Sequence, residues 1–256
     1  MRIGLIADVH GNLVALDAVL DDLAGSGIDR IVCLGDLVAL GPQPREVLAR
    51  LREIGVPSAR GNTDDWIARG VAPGPRPAGP DPVADLTTWA GEQLSPRDLA
   101  DLGGLPSSLE LSPTPGWELQ CFHGSPRSDE DVIAAGTPDA DLDAMLLSPA
   151  ARFVAGGHTH VQLVRRRGTA WVVNPGSVGL PGVGPDSPYL AAPRPASAAE
   201  YAVLDVDGGH VELALRSMPL DVERMARLAR VSGMPHAGWW AGRWQTDDDV
   251  AAHPST

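Results

Sequence analysis

The chain has 256 residues and a formal net charge of −13: long enough for one large α/β domain with a sizeable core, and too acidic for a broad nucleic-acid footprint. No stretch approaches the about 18 apolar residues of a membrane span. The amino terminus shows no basic leader followed by an apolar run, so the cytoplasm is the expected location.

Residues 2–7 (RIGLIA) read as a strand, broken by the polar cluster DVHGN. LVALDAVLDDLAGSG then repeats Leu and Val at helical spacing and stops at glycine. Residues 30–34 (RIVCL) form a second strand ending at GD, EVLARLREIG a second helix, and PSARGNTD a third strand running into a polar loop. This alternation predicts an α/β fold. VAPGPRPAGPDP, residues 71–82, is a turn-rich linker leading to two helices, VADLTTWAGEQL and PRDLADL, expected to form a helical cap over 66–105 beside the active site. From Trp117 the pattern changes to strands: WELQCFHG, RFVAGGHTH, LVRRRGTAWVVNPGS and YAVLDVDGGHVELALRSM. These predict a second sheet packed face to face on the first, with helices outside. Residues 181–198 carry too many Pro, Gly and Ala for a regular element and are expected to be a mobile loop. DVERMARLARVSG reads as an amphipathic helix, and 245–256 as a disordered tail of a single domain spanning 1–256. Trp239, Trp240 and Trp244 fit either the packing of that last helix or contact with a partner, such as a second copy in a homo-oligomer.

Cys33 and Cys121 lie in apolar runs and read as small core residues. The polar residues that stand out are scarce ones. Asn12, Asn62 and Asn174 are the three asparagines of the chain, each in a short Gly-containing loop, and four of its seven His lie in loops of the same kind. His210, His236 and His253 have surface-like contexts. Asp8 and His10 stand just beyond the first strand, so extended geometry would send both side chains to one side. Asp36, Asn62, His123 and the pair His158 and His160 follow later strands. All seven fall where carboxyl ends of strands converge, the usual ligand crevice of open α/β sheets.

Seven N and O ligands suffice for two divalent cations about 3.5–4 Å apart, with Asp36 bridging them. Two such ions outweigh the charges of Asp8 and Asp36, leaving an electropositive site that attracts a small phosphorylated substrate. Manganese is the first expectation for this donor set, and iron, zinc, cobalt and nickel also suit it. Asp36 and Asn62 are expected to act in catalysis as well as ligation. Arg127, in HGSPR, either clamps a substrate phosphate or is an exposed structural arginine. Asn12 either touches the substrate and orients the Asp8–His10 loop or caps the helix that follows. Asp64 has the same two options, ligand support or capping, and Asn174 and Ser177 either line the crevice or build a tight turn. Arg165–Arg167 reads as a solvated strand edge.

In order, D-x-H-G-N, G-D, G-N-x-D, H-G and G-H-x-H over residues 3–180 resemble the calcineurin-like metallophosphoesterase superfamily. GDLVALGPQP, GEQLSPRDLADLGGLP, HGSPR and VVNPGSVGLP are similar to its bacterial small phosphodiesterase branch, some members of which hydrolyse dinucleoside polyphosphates or aryl phosphates. The resemblance implies a four-layer sandwich of two mixed β-sheets with helices outside. It also implies a first metal on Asp8, His10 and His160, a second on Asn62, His123 and His158, and hydrolysis of phosphodiester, phosphomonoester or phosphoanhydride bonds by a metal-bridging hydroxide. Many members carry His after the Asn of G-N-x-D, where it assists the leaving group; this chain has Thr63. A hydroxyl is a poor replacement for an imidazole acid, so easily departing leaving groups should suffer least. The resemblance leaves two other roles within the superfamily, a non-catalytic scaffold and a protein phosphatase. The scaffold would be expected to drop metal positions, and none is missing here.

Overall fold

A computed structural model describes residues 1–71, 81–147, 151–182, 184–185, 190, 196–208 and 210–244. The tail 245–256 and most of the 183–195 stretch therefore lie outside the described residues, as do 72–80 of the linker.

The first sheet has the order β2-β1-β8-β9, from β1 (Arg2–Ile6), β2 (Arg30–Cys33), β8 (Ala198–Asp207) and β9 (His210–Pro219). β1 runs parallel to β2 and antiparallel to β8. The second sheet has the order β3-β4-β5-β7-β6, from β3 (Ser108–Thr114), β4 (Trp117–Phe122), β5 (Phe153–Ala155), β6 (Leu163–Arg167) and β7 (Ala170–Asn174). Its centre, β4-β5-β7, is parallel. Period-two alternation builds three cores. Ile3, Leu5, Val32, Ala202 and Leu204 of the first sheet meet Leu119, Cys121, Phe153 and Val173 of the second between the sheets. Ile6, Cys33, Tyr201 and Val203 face the helices α1 (Leu13–Gly25), α2 (Pro44–Glu53) and α7 (Val222–Val231). Phe122, Val154 and Val172 face α6 (Asp139–Leu146). The result is four layers, helix, sheet, sheet, helix.

Several expectations change. YAVLDVDGGHVELALRSM returns to the first sheet instead of extending the second, because β8 pairs with β1. PSARGNTD makes a single bridge, Ser58 to Cys33, and then enters a helix, α3 (Asn62–Arg69). β3 and α6 were not anticipated; Pro113 interrupts the first as a strand pattern, and DADLDAML carries its three aspartates at alternate positions, which is not a helical spacing. The expected cap segment folds into α3, α4 (Pro82–Gln93) and α5 (Pro96–Gly103), and Ile67, Leu86, Ala90 and Leu102 enter the same core as α1 and α2. Trp240, within the short α8 (Ala237–Ala241), and Trp244 just beyond it are buried in that core. His236 is not a plain surface residue: it pairs with Asp85 of α4 at 2.8 Å. The arginine run does lie on an edge strand, with Arg166 exposed, but its other two members are paired: Arg165 donates to the Thr137 carbonyl and to Asp139, and Arg167 to Asp143. These contacts fasten α6 and the loop before it to β6.

Candidate metal centre

Asp8 follows β1 and Asp36 follows β2, while His123 follows β4 and His158 and His160 follow β5, so the two sheets meet at their carboxyl ends. Asn62 is placed differently, at the first position of α3. The extended geometry expected around Asp8 does not persist. Asp8, His10, Asp36, His158 and His160 all have left-handed backbones, with φ of 55°, 46°, 56°, 66° and 54°. Each costs of order 1–3 kcal/mol for a non-glycine residue. Neighbouring loops hold them there: Asp8 N donates to Gly35 O and His10 N to Asp36 O, both at 3.0 Å, and Gly179 N to Asp8 O at 2.9 Å.

Glycines permit this crowding. A Cβ on Gly61 would collide with the Asp36 carboxylate and amide, and one on Gly157 would lie 2.7 Å from Asp8 Oδ2.

The donor atoms converge. His10 Nε2 lies 3.0 Å from His160 Nε2, and His160 Nε2 lies 3.2 Å from Asp8 Oδ1. Asp36 Oδ2 stands 3.6 Å from His10 Nε2 and 3.4 Å from His123 Nε2. His123 Nε2 is 3.0 Å from Asn62 Oδ1, and the His158 ring centroid is 5.1 Å from that of His123. One ligand atom from each of Asp8, His10, Asp36 and His160 lies within 4.8 Å of the others. His123 Nδ1 donates to Leu34 O at 2.9 Å and His160 Nδ1 to Leu180 O at 2.8 Å. A carbonyl can only accept, so both rings present Nε2 to the centre, the tautomer a metal ligand needs.

Supporting residues lock the loops. The Asp64 carboxylate accepts from Asp36 N, Leu37 N and Gly61 N, which makes it brace and helix cap together. Asn174 Nδ2 donates to Gly157 O and Thr159 Oγ1, and Ser177 Oγ to Asp8 O, so these two shape the ligand turns. Thr63 N donates to Asp36 Oδ1 at 3.0 Å, and its own buried Oγ1 has no partner among the described residues.

Two residues expected to touch substrate sit otherwise. Asn12 is buried, caps α1 by accepting from Ala15 N, and gives Nδ2 to Gly179 O and the Met225 sulfur. Its side chain is committed to the fold and leaves nothing for a substrate. Arg127 is exposed and holds Asp131 by Nε at 3.0 Å and Nη2 at 2.7 Å. Ser125, two residues past His123, also donates its hydroxyl to Asp131 at 2.6 Å, which ties this pair to the His123 loop.

Burial raises the Asp36 carboxyl, but His123 outweighs it and holds Asp36 below the usual carboxylate range; His160 does the same for Asp8. Burial likewise works against charge on His123, yet Asp36 and Asp8 push it up to about 10. His160 is raised against burial by Asp8. Burial and a neighbouring imidazole lower His10 and His158 to about 4. Burial and the Asp36 charge push Asp64 up to about 7. Among the described residues, the ion-pair partners of Asp8 and Asp36 are imidazoles alone. Facing imidazole nitrogens around two buried carboxylates are best reconciled by divalent cations, so the donor set fits metal.

Residues 1–209 match the family model of the calcineurin-like phosphoesterase superfamily domain. A metallophosphoesterase structure from Sphaerobacter thermophilus superposes with a TM-score of 0.72 at 28% identity, over 95% of this chain and 98% of that one. An uncharacterised protein of Methanocaldococcus jannaschii is 28% identical over 203 residues, covering 70% of this chain and 76% of its own. Phosphodiesterase YfcE of Escherichia coli K12 is 26% identical over 199 residues, covering 74% and 85%.

Proposed function

The chain belongs to the calcineurin-like phosphoesterase superfamily, and we propose that it hydrolyses a small phosphorylated substrate at a two-metal centre. Asp8, His10 and His160 would hold one cation and Asn62, His123 and His158 the other, with Asp36 shared. Manganese is the first choice, ahead of iron, zinc, cobalt or nickel. The observation that carries the reading is the position of Asp36 Oδ2, between His10 Nε2 at 3.6 Å and His123 Nε2 at 3.4 Å. One carboxylate oxygen thus faces both imidazole groups.

When bound, such a pair of cations supplies Lewis acidity to the phosphoryl oxygens and acidifies the attacking water. The protein contributes position. Thr63 N fixes Oδ1 of Asp36 and thereby aims Oδ2 at the centre. The Leu34 and Leu180 carbonyls hold the His123 and His160 rings in register. Asp64 keeps the Asp36 loop and the start of α3 together. Arg127 could turn from Asp131 to a substrate phosphate, exchanging one bidentate anion for another. The substrate class is a phosphodiester, phosphomonoester or phosphoanhydride with a good leaving group, aryl phosphates and dinucleoside polyphosphates included, because Thr63 offers no strong acid. With no helix among the described residues long and apolar enough to cross a membrane, a cytoplasmic site of action is part of the reading.

The test is a metal-reconstituted screen of bis-aryl phosphates, aryl monophosphates, nucleotides and dinucleoside polyphosphates, with Asp36→Asn as control. Losing a charged group that stabilises the transition state should lower turnover about 10²–10³-fold or more. Turnover unchanged in Asp36→Asn would remove the assignment.

A further inference from the structure

β9 is the outer strand of the first sheet, ten residues long, and among the described residues no strand pairs with its far side. An edge of this length is an open template for another chain. Leu220 N donates to Ser197 O, and the register with β8 runs unbroken from Ala198 opposite Pro219 to Asp207 opposite His210. Even-numbered residues of β9 therefore turn their backbone groups toward β8. Val211, Leu213, Leu215 and Ser217 turn theirs outward.

The edge is complementary to itself. Placed antiparallel to a second copy about a two-fold axis at Ala214, the segment Glu212-Leu213-Ala214-Leu215-Arg216 sets Glu212 opposite the partner's Arg216, and the reverse. Leu213 then exchanges backbone hydrogen bonds with the partner's Leu215, and Val211 with the partner's Ser217. Other centres do worse. At Leu213, Glu212 would face alanine; at Leu215, Val211 would face Pro219, which has no N–H to give.

The side chains suit this register. Glu212 is exposed. Arg216 directs Nη1 to Asp22 and Ser26 and also meets the Tyr201 hydroxyl, and a guanidinium has five N–H donors, enough to serve a second carboxylate as well. On the opposite face Leu213 packs on the inter-sheet core, while Leu215 is 37% exposed and would be covered by the partner's Leu213.

We infer that β9 is the interface of a two-fold dimer of this chain, which joins two four-stranded sheets into one continuous sheet. The symmetry is isologous, so the association closes at two copies. It uses neither the buried tryptophans nor the metal centre.

Sedimentation of the full chain at physiological salt, up to high micromolar concentration, should show dimer. E212R and R216E should each raise the dissociation constant about tenfold, because two attractive cross-strand pairs become repulsive. Mixing E212R with R216E restores both pairs and should restore association as a heterodimer. L215P removes an outward N–H, which an edge strand tolerates, and should leave the thermal midpoint near wild type while abolishing the dimer. Hydrogen exchange at Val211, Leu213, Leu215 and Ser217 should slow as concentration rises. Monomer at all concentrations would overturn the inference. So would a dimer indifferent to L215P, a mixture of the two charge variants that stays as weak as each alone, or protection at those amides that ignores concentration, the sign that another segment of the same chain covers the edge.

Discussion

Thr63 stands beside Asn62 with its amide on Asp36 and its buried hydroxyl without a partner among the described residues. A buried hydroxyl left unpaired costs free energy, which a ligand oxygen or water at that point would recover. The hydroxyl can donate a hydrogen bond but cannot deliver a proton near neutral pH as imidazole does. Thr63→His should therefore raise kcat/KM for substrates with basic leaving groups by about tenfold or more, and for aryl phosphates much less. The comparison is the slope of rate against leaving-group pKa in the two proteins; equal acceleration across the series would exclude a leaving-group role at this position. The residues that converge at the centre were legible in the sequence because scarce Asn and His fell into short Gly loops with Asp. Their conformations were not. Left-handed backbone at Asp8, His10, Asp36, His158 and His160 is imposed by hydrogen bonds from loops distant in the chain, which local propensity does not encode. The cap made by Asn12 was one of two readings, and only the third partner, Gly179 O, shows that its amide has no freedom left.

At the scale of elements, the close passage of one loop over another decides whether the ligands meet. Gly61 opens α3 against Asp36, and Gly179 crosses Val9 with no room for a Cβ. Gly25, at the end of α1, has nothing within 4 Å of such a Cβ. Gly61→Ala should lower metal affinity at least about tenfold, as displaced supporting contacts do elsewhere, while Gly25→Ala should change stability by no more than about 1 kcal/mol. Calorimetric titration with Mn²⁺ and thermal melts separate the two effects. Equal metal affinity in Gly61→Ala and wild type would mean that the Asp36 loop can retreat without cost. Strand and helix types were largely readable from periodicity, as β1, α1, β2 and α2 show. The sheet to which β8 and β9 belong was not, because pairing of β8 with β1 joins residues about two hundred positions apart and leaves no mark on local alternation. α3 escaped notice for a different reason: NTDDWIAR is polar at its start, since Asn62, Thr63 and Asp64 all turn to the centre or to Asp36.

Across the whole molecule, the centre is the place where the two sheets are tied to each other at their carboxyl ends. Asp8, His10 and Asp36 come from the loops of the first sheet and His123, His158 and His160 from those of the second, so any cation held by both sets resists separation of the sheets. Binding to the folded chain alone adds about 2.7 kcal/mol at a hundredfold excess over the dissociation constant. For a domain of this size that raises the thermal midpoint by roughly 5–10 °C. The same linkage carries a pH dependence with a definite sign. In the metal-free protein Asp36 and Asp8 raise His123 to about 10, so its ring is protonated at neutral pH and must lose that proton to become a ligand. Below that value protons compete with the cation, and apparent affinity should climb with pH, approaching about tenfold per unit for one displaced proton. Titrating chelator-treated protein with Mn²⁺ in weakly buffered indicator should release acid, and the midpoint measured across pH 6–8 should rise with metal more steeply at the alkaline end. Uptake without proton release would place His123 outside the ligand set, and a midpoint unmoved by chelator and metal alike would mean that the two sheets are held together without the ions.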